Sequence, residues 1–85
     1  MYLTTQGLVL RVSDYNDHDA LLTLLTREYG RLTVKARGLR RKNSPLVAPC
    51  QLLAYGEFTL FEYRGMYTIN EAHSIELFHG LRKVL

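Results

Sequence analysis

The sequence predicts an all-β domain built from five strands, and three observations support this fold class. Five stretches either alternate apolar and polar residues or form short apolar runs, as strands do. Clusters of turn-forming residues separate these stretches. The length of 85 residues, with 47% hydrophobic content, is enough for one small core but not for two. We therefore expect a single packed domain.

A polar turn separates the first two predicted strands. Gln6–Ser13 places Leu8, Leu10 and Val12 on the more apolar of its two faces, a pattern that predicts a strand with one face buried. Ala20–Thr26 is apolar at nearly every position and is bounded by turns. Because a helix would need more length, we expect this stretch to be a strand that is covered on both faces.

The third predicted strand is cationic on one face. It follows a tight turn at Glu28–Gly30 and covers Arg31–Arg37. Its alternation gives an apolar face and an opposite face that carries Lys35 and Arg37. The loop that follows, Gly38–Pro45, adds three consecutive cations. A cationic strand that continues into a cationic loop is a suitable surface for phosphates.

The second half of the chain predicts a short turn and then a hairpin. Leu46–Gln51 lies among prolines too closely spaced for a long helix, so we expect one turn or irregular chain. Leu52–Tyr63 is predicted to be a long strand, and Gly56 is predicted to mark a bulge or bend within it. Arg64–Gly65 forms the turn to the fifth strand, Met66–Ser74.

From Ile75 onward the apolar residues recur at helical spacing. They are Leu77, Phe78, Leu81, Val84 and Leu85. We therefore divide the chain into a barrel domain at 1–74 and, at 75–85, the start of a C-terminal helix that leads into a region absent from this sequence. Five strands with an interruption after the third and a bend glycine in the fourth favour a Greek-key barrel, the oligonucleotide/oligosaccharide-binding (OB) fold. An SH3-like barrel and half of a β-sandwich are the alternatives.

Seven of the eleven Lys and Arg residues fall within sixteen positions, against one acid, Glu28. The candidate nucleic-acid-binding residues are Arg27, Arg31, Lys35, Arg37, Arg40, Arg41 and Lys42. Such cations displace the counterions of a phosphate backbone and give sequence-independent, salt-sensitive binding. The alternative is a solvated strand face without a ligand. Tyr29, in the turn between the second and third strands, is a candidate for stacking on bases.

Other functional classes have little support in the sequence. The single cysteine, Cys50, excludes an internal disulfide and a Cys-rich zinc site, and we expect it to be buried. The three histidines are too scattered to suggest a metal site, and no catalytic motif is present, so we expect no cofactor, small-molecule substrate or enzymatic activity. Without a signal peptide or a membrane-spanning run, the expected location is the cytoplasm.

A second aromatic group lies on the fourth predicted strand. Tyr55, Phe61 and Tyr63 share one face of that strand, while Phe58 shares the opposite face with Leu60. We expect the first group to pack against the predicted helix at 75–85 and the chain that follows it; stacking on the bases of a bound single strand is the alternative.

The basic segment and the two ends of the chain resemble the N-terminal domain of the RecO family. The resemblance rests on Leu22–Leu32, on Lys35–Arg41 followed by Ser44, and on the terminal runs Gly7–Arg11 and Gly80–Arg82. It implies a bacterial recombination mediator that binds single- and double-stranded DNA and anneals complementary strands. It also implies two partners, the RecR ring protein and the single-strand-binding protein, the latter captured by the region absent here. The implied location is the bacterial nucleoid.

A different class of function is also compatible with the cationic segment. It would be a protein-interaction module whose basic face docks an acidic partner, such as the RecR ring. A titration with single-stranded DNA at two salt concentrations distinguishes the two hypotheses.

Overall fold

The computed structural model describes residues 1–75 and contains five strands. They are β1 (Tyr2–Asp14), β2 (Ala20–Thr26), β3 (Gly30–Ala36), β4 (Tyr55–Tyr63) and β5 (Met66–Ser74). The helix predicted at 75–85 lies outside the described residues, apart from Ile75.

The five strands close into a barrel in the order β1-β2-β3-β5-β4. Closure is possible because β1 is thirteen residues long and pairs with two neighbours. Its first part pairs with β4 and its second part with β2, both antiparallel. The last contact is a short parallel one between β3 and β5. This closed Greek-key order confirms the predicted OB fold and excludes half of a sandwich.

The first strand differs from its prediction in two ways. It begins at Tyr2 rather than Gln6, because residues 2–8 pair with β4. It also contains a bulge, since Val9 pairs with Leu24 and Arg11 pairs with Thr23, which leaves Leu10 without a partner. Val9 is fully buried, whereas Leu8 and Leu10 are half-buried. Leu8 and Leu10 therefore do not lie on the buried face as expected, whereas Val12, beyond the bulge, is paired with the buried Leu22 and packs against the core.

The second and third strands bury one face each. Leu22 and Leu24 of β2 are fully buried, but Leu25 is exposed, so the expectation that both faces are covered was wrong. The outer face of β2 carries Leu21, Thr23 and Leu25, of which the first two are half-buried. In β3 the predicted alternation is confirmed, since Val34 and Ala36 are buried while Arg31 and Thr33 are exposed. The strand runs one residue earlier than predicted, so Arg37 begins the loop that follows it.

The fourth strand begins at Tyr55 rather than Leu52, and the predicted bulge at Gly56 is absent. The irregularity lies in β5, where Asn70 is the unpaired residue between Ile69 and Glu71. Gly56 instead allows the backbones of β4 and β5 to approach each other closely. Its backbone is so close to β5 that a Cβ atom there would lie 2.6 Å from the carbonyl oxygen of His73. This position admits only glycine without a shift of the backbone.

The segment between β3 and β4 closes one end of the core. It contributes Leu39 and Cys50, which pack with Phe58, Leu22 and other buried apolar residues. A single helical turn in this segment is confirmed by the bond that the Cys50 amide donates to the Leu46 carbonyl, 3.0 Å. Burial raises the pKa of the Cys50 thiol to about 12, consistent with the predicted structural role.

The hairpin between β4 and β5 turns at the predicted residues. Arg64 and Gly65 have φ angles of 52° and 80°, as a two-residue hairpin of type I′ requires. The Gly65 amide donates to Glu62 Oε2 at 2.8 Å.

Candidate nucleic-acid interface

An open groove of about 1340 Å³ crosses the outer surface of β3, β5 and β4. The loop at 15–19, between β1 and β2, forms one part of its rim. The loop at 37–46, after β3, forms another part, and the β4–β5 hairpin forms the third. The groove therefore lies where three connections of the barrel meet.

One side of the groove carries four cations, which we call the cationic wall: Lys35, Arg37, Arg41 and Lys42. The alternation of β3 directs Lys35 outward, and the loop at 37–46 supplies the other three. Among residues 1–75, no carboxylate forms an ion pair with any of them. Their charge is thus available to an anionic ligand.

Two acidic side chains, Asp17 and Asp19, also line the groove. Asp19 is engaged in structure, since its Oδ1 accepts the Gly38 amide proton at 2.7 Å and its Oδ2 accepts from Asn16 Nδ2 at 2.9 Å. These bonds, the one from Gly38 foremost, lower the pKa of the Asp19 carboxyl. The carboxylate thereby holds the loop at 37–46 against the loop at 15–19.

Arg40 is directed to the same loop junction rather than into the groove. Its amide donates to the carbonyl of His18 at 2.9 Å. Its guanidinium contacts Asp14 Oδ1 through Nη2 at 2.9 Å and Nε at 3.1 Å. Both side chains are exposed, so this ion pair contributes little free energy on its own. Arg40 therefore supports the loop that carries Arg41 and Lys42.

Three further candidates lie at the other end of the β2–β3 hairpin. Arg27 and Tyr29 belong to its turn, and Arg31 follows at the start of β3. Thr26 fixes this turn, because its hydroxyl accepts the Tyr29 amide proton at 3.0 Å and donates to the Gly30 carbonyl at 2.7 Å. None of the three lines the groove, and Arg27 borders a separate apolar depression. The groove thus gathers four of the seven candidate cations.

The opposite side of the groove is lined by large apolar side chains, most of them aromatic. We call it the aromatic wall: Tyr2, Phe61, Tyr63 and Met66. The sequence did place Phe61 and Tyr63 on one strand face. The contribution of Tyr2 depends on strand pairing, which puts it beside Phe61. Tyr55, from the same face of β4, borders the separate depression and donates to Gln6 Oε1 at 2.9 Å.

A tyrosine of the β1–β2 loop contacts the cationic wall. Lys35 Nζ lies 4.7 Å from the centre of the Tyr15 ring, a cation–π distance. Tyr15 is half exposed, so the contact holds the lysine over the surface without burying its charge.

Within residues 1–75, no three His, Cys, Asp or Glu side chains are grouped closely enough to hold a metal ion. In the same part of the chain, no helix has the length and apolar character that crossing a membrane requires.

The fold and the groove define this chain as an OB-fold domain with a groove that is lined by cations on one side. Residues 1–78 match the family described as "Recombination protein O N terminal". The chain belongs to that family, as the resemblance in the basic segment predicted.

Individual relatives agree with this family assignment. The chain is 37% identical over 83 residues to "DNA repair protein RecO" of Alkaliphilus metalliredigens, covering 98% of the chain and 34% of that protein. It is 39% identical over 84 residues to the protein of the same name from Acetivibrio thermocellus, covering 99% of the chain and 34% of the relative. It is 38% identical over 85 residues to the Bacillus subtilis protein of the same name, covering 100% of the chain and 33% of the relative. The chain spans about a third of the length of the curated relatives it matches.

Proposed function

We propose that this domain binds DNA without sequence preference as part of a recombination mediator that acts in DNA repair. The observation that carries the proposal is the cationic wall, where Lys35, Arg37, Arg41 and Lys42 face one groove without a carboxylate partner among residues 1–75. Matching relatives named as DNA repair proteins support the same assignment.

The proposed mechanism is neutralisation of the phosphate backbone. Each cation that contacts a phosphate releases condensed counterions, so the affinity depends steeply on salt and little on sequence. With four phosphates engaged, log K for a single strand falls with log salt at a slope of about −3. Lower backbone charge also reduces the repulsion between complementary strands, which is how the domain would promote annealing.

Two protein partners are also part of the proposal, on the likeness of this chain to the RecO family. We propose that the intact protein cooperates with the RecR ring protein and the single-strand-binding protein to prepare gapped DNA, and that it acts at the bacterial nucleoid. Capture of the single-strand-binding protein is proposed for the part of the relatives that this chain does not span.

Two double variants of equal charge test the proposal in the intact protein. One, Arg41→Gln with Lys42→Gln, removes two cations from the groove. The other, Arg27→Gln with Arg31→Gln, removes two cations outside it. We expect the first to weaken binding of a single strand by about tenfold or more, because bonds to charged groups are lost. Its salt slope should be shallower by about 1.4, for two lost phosphate contacts.

The second double variant controls for net charge and should bind nearly as the unaltered protein does. Equal losses of DNA affinity in the two variants would mean that the groove has no special role in DNA binding. If the groove variant binds and anneals DNA normally but no longer binds RecR, the surface is a docking module for an acidic protein and the proposal is wrong.

A further inference from the structure

We infer that the aromatic wall is a base-stacking surface, and that the groove takes single-stranded nucleic acid with its phosphates on the cationic wall and its bases on Phe61, Tyr63 and Tyr2. The inference rests on the proposed function and adds to it the part of the ligand that charge alone does not recognise. Aromatic rings beside a positively charged groove are the general means by which proteins hold single strands.

Strand pairing places the two walls in one continuous row. Tyr2 is opposite Phe61, and Phe61 is opposite Thr68. Thr68 is in turn opposite Lys35 across the β3–β5 contact. Since adjacent strands lie about 4.8 Å apart, the backbones of Lys35 and Phe61 are separated by about 10 Å. A lysine side chain and one nucleotide can span this distance together.

The rings of the aromatic wall are accessible. Phe61 is 37% exposed, Tyr2 62% and Tyr63 59%, and Met66 beside them is 68% exposed. A group of large apolar side chains on one surface is typical of a binding site rather than of solvated protein. The charge on the facing wall identifies the ligand as an anion that also has flat apolar faces. Single-stranded nucleic acid has both properties.

Two contacts hold the rings in position. The centres of the Tyr2 and Phe61 rings are 5.0 Å apart with their planes inclined at 60°, a packed but tilted pair. The Arg64 guanidinium lies 5.2 Å from the centre of the Tyr63 ring and occupies one of its two faces. The same arginine adds positive charge beside the rings.

The obvious competitor for the aromatic wall is the chain that follows β5, to which the sequence assigned these rings. That chain leaves the described residues at Ile75, whose amide donates to the Tyr55 carbonyl at 2.9 Å. Tyr55 is the first residue of β4 and Tyr63 is the last. Eight strand residues correspond to about 27 Å. The described chain therefore ends at the far end of β4 from the aromatic wall.

A base-stacking surface would favour single strands over duplexes. Bases in a duplex already stack on each other and are not free to lie on a protein ring, whereas both forms offer phosphates to the cationic wall. The two walls should therefore contribute separately to the binding affinity. A ligand without bases should lose only the part of the affinity that the aromatic wall provides.

The experiment compares two ligands of equal charge in the intact protein. One is a thymidine oligonucleotide, and the other is an abasic strand of the same length. The test variant is Phe61→Leu with Tyr63→Leu, and the matched control is Tyr55→Leu at the other end of the same strand face. Loss of each stacked ring is expected to weaken thymidine binding by about 5- to 100-fold. Binding of the abasic strand should be unchanged.

Two further measurements and one further variant accompany the measurements of affinity. The salt slope for the thymidine strand should be the same in the test variant, because no phosphate contact is removed. Thermal unfolding checks that the double variant is folded. The conservative variant Phe61→Trp should retain thymidine binding, since it keeps an aromatic ring at this position. A loss of affinity as large as that of the single variant Phe61→Leu, measured beside it, would overturn the inference.

The outcomes separate the inference from the proposed function. If the cationic-wall variant loses DNA binding but Phe61→Leu with Tyr63→Leu binds thymidine normally, the stacking inference is wrong and the proposed function stands. An equal loss of affinity for the thymidine strand and the abasic strand would show that the rings only support the fold. This outcome would also overturn the inference. If the cationic-wall variant binds normally, the proposed function itself fails.

Discussion

Single residues in the loop at 15–19 and the loop at 37–46 have different roles despite similar charge. Arg40 forms an ion pair with Asp14 at the loop junction, whereas Arg41 and Lys42 line the groove. Asp19 carries negative charge into a cationic region, yet it accepts the Gly38 amide proton and so fixes the loop on which those cations depend. Net charge alone does not distinguish a ligand contact from a structural one.

At the residue scale, we predict that Asp19→Asn lowers the stability of the domain at neutral pH. The pKa of Asp19 is lowered by folding, so the ionised carboxylate stabilises the folded state at any pH above its ordinary value of 3.8. That contribution disappears as pH falls below 3.8 through the lower folded value, where the carboxylate takes up a proton. Thermal unfolding between pH 2 and pH 7 measures the effect, and the two proteins should converge at the acid end.

Asp17→Asn is the control for this prediction, because it removes an exposed carboxylate of the same loop. At neutral pH it should lower the thermal stability much less than Asp19→Asn does, because the hydrogen bond from the Gly38 amide to Asp19 is retained. A constant difference between Asp19→Asn and the unaltered protein down to the lowest pH would contradict the assigned role of the ionised carboxylate.

The strands show how much of the fold the sequence could predict. β2 and β5 begin and end at the predicted residues, because turn-forming residues bound β2 on both sides and precede β5, and the strand pattern of β5 gives way to helical spacing at Ile75. The alternation of β3 was equally clear. The bulges at Leu10 and Asn70 were not predictable, since they depend on how two strands fit together in the barrel.

The same limit applies to the groove. The cations of β3 and its following loop could be predicted because they are close in sequence. The aromatic wall could not, because it requires Tyr2 of β1 to meet Phe61 of β4, and the start of β1 was placed too late. Pairings between distant strands depend on the stagger of the closed barrel, which leaves no local pattern in the sequence.

At the element scale, Gly56→Ala should destabilise the domain by about 1–3 kcal/mol, the usual cost of adding atoms to a packed region. The added methyl group would lie 2.6 Å from the carbonyl oxygen of His73, a backbone atom that cannot turn aside. Denaturant unfolding measures the change. Gly7→Ala is the milder comparison, since the Cβ atom added there would lie 3.3 Å from the nearest backbone atom, the carbonyl oxygen of Leu25. Equal stability of the two variants would argue against strain at Gly56.

In the closed barrel as a whole, the weakest strand contact is the one beneath the groove. β3 and β5 share two paired positions, Val34 with Tyr67 and Lys35 with Thr68. By comparison, seven positions pair between β2 and β3. The groove ligand would contact both strands of the weaker pair, since Lys35 and Thr68 line it. Binding and barrel closure are therefore expected to be coupled.

At the scale of the whole molecule, we predict that saturating single-stranded DNA slows hydrogen exchange of the amides along the β3–β5 contact. These amides should exchange faster than those between β2 and β3 in the free protein, because fewer backbone bonds must break. A ligand at 100 times its Kd adds about 2.7 kcal/mol to the folded state, which corresponds to about 100-fold slower exchange by global opening. Protection that increases only in the loops, with the β3–β5 amides unaffected, would contradict the coupling.

The junction between the loop at 15–19 and the loop at 37–46 has a consequence for the speed of association. Backbone and carboxylate bonds from His18 and Asp19 to the second loop are already made in the free protein. This side of the rim therefore loses little conformational entropy when a ligand arrives. Encounter should be limited by diffusion and charge attraction, with no slow ordering step before the complex forms.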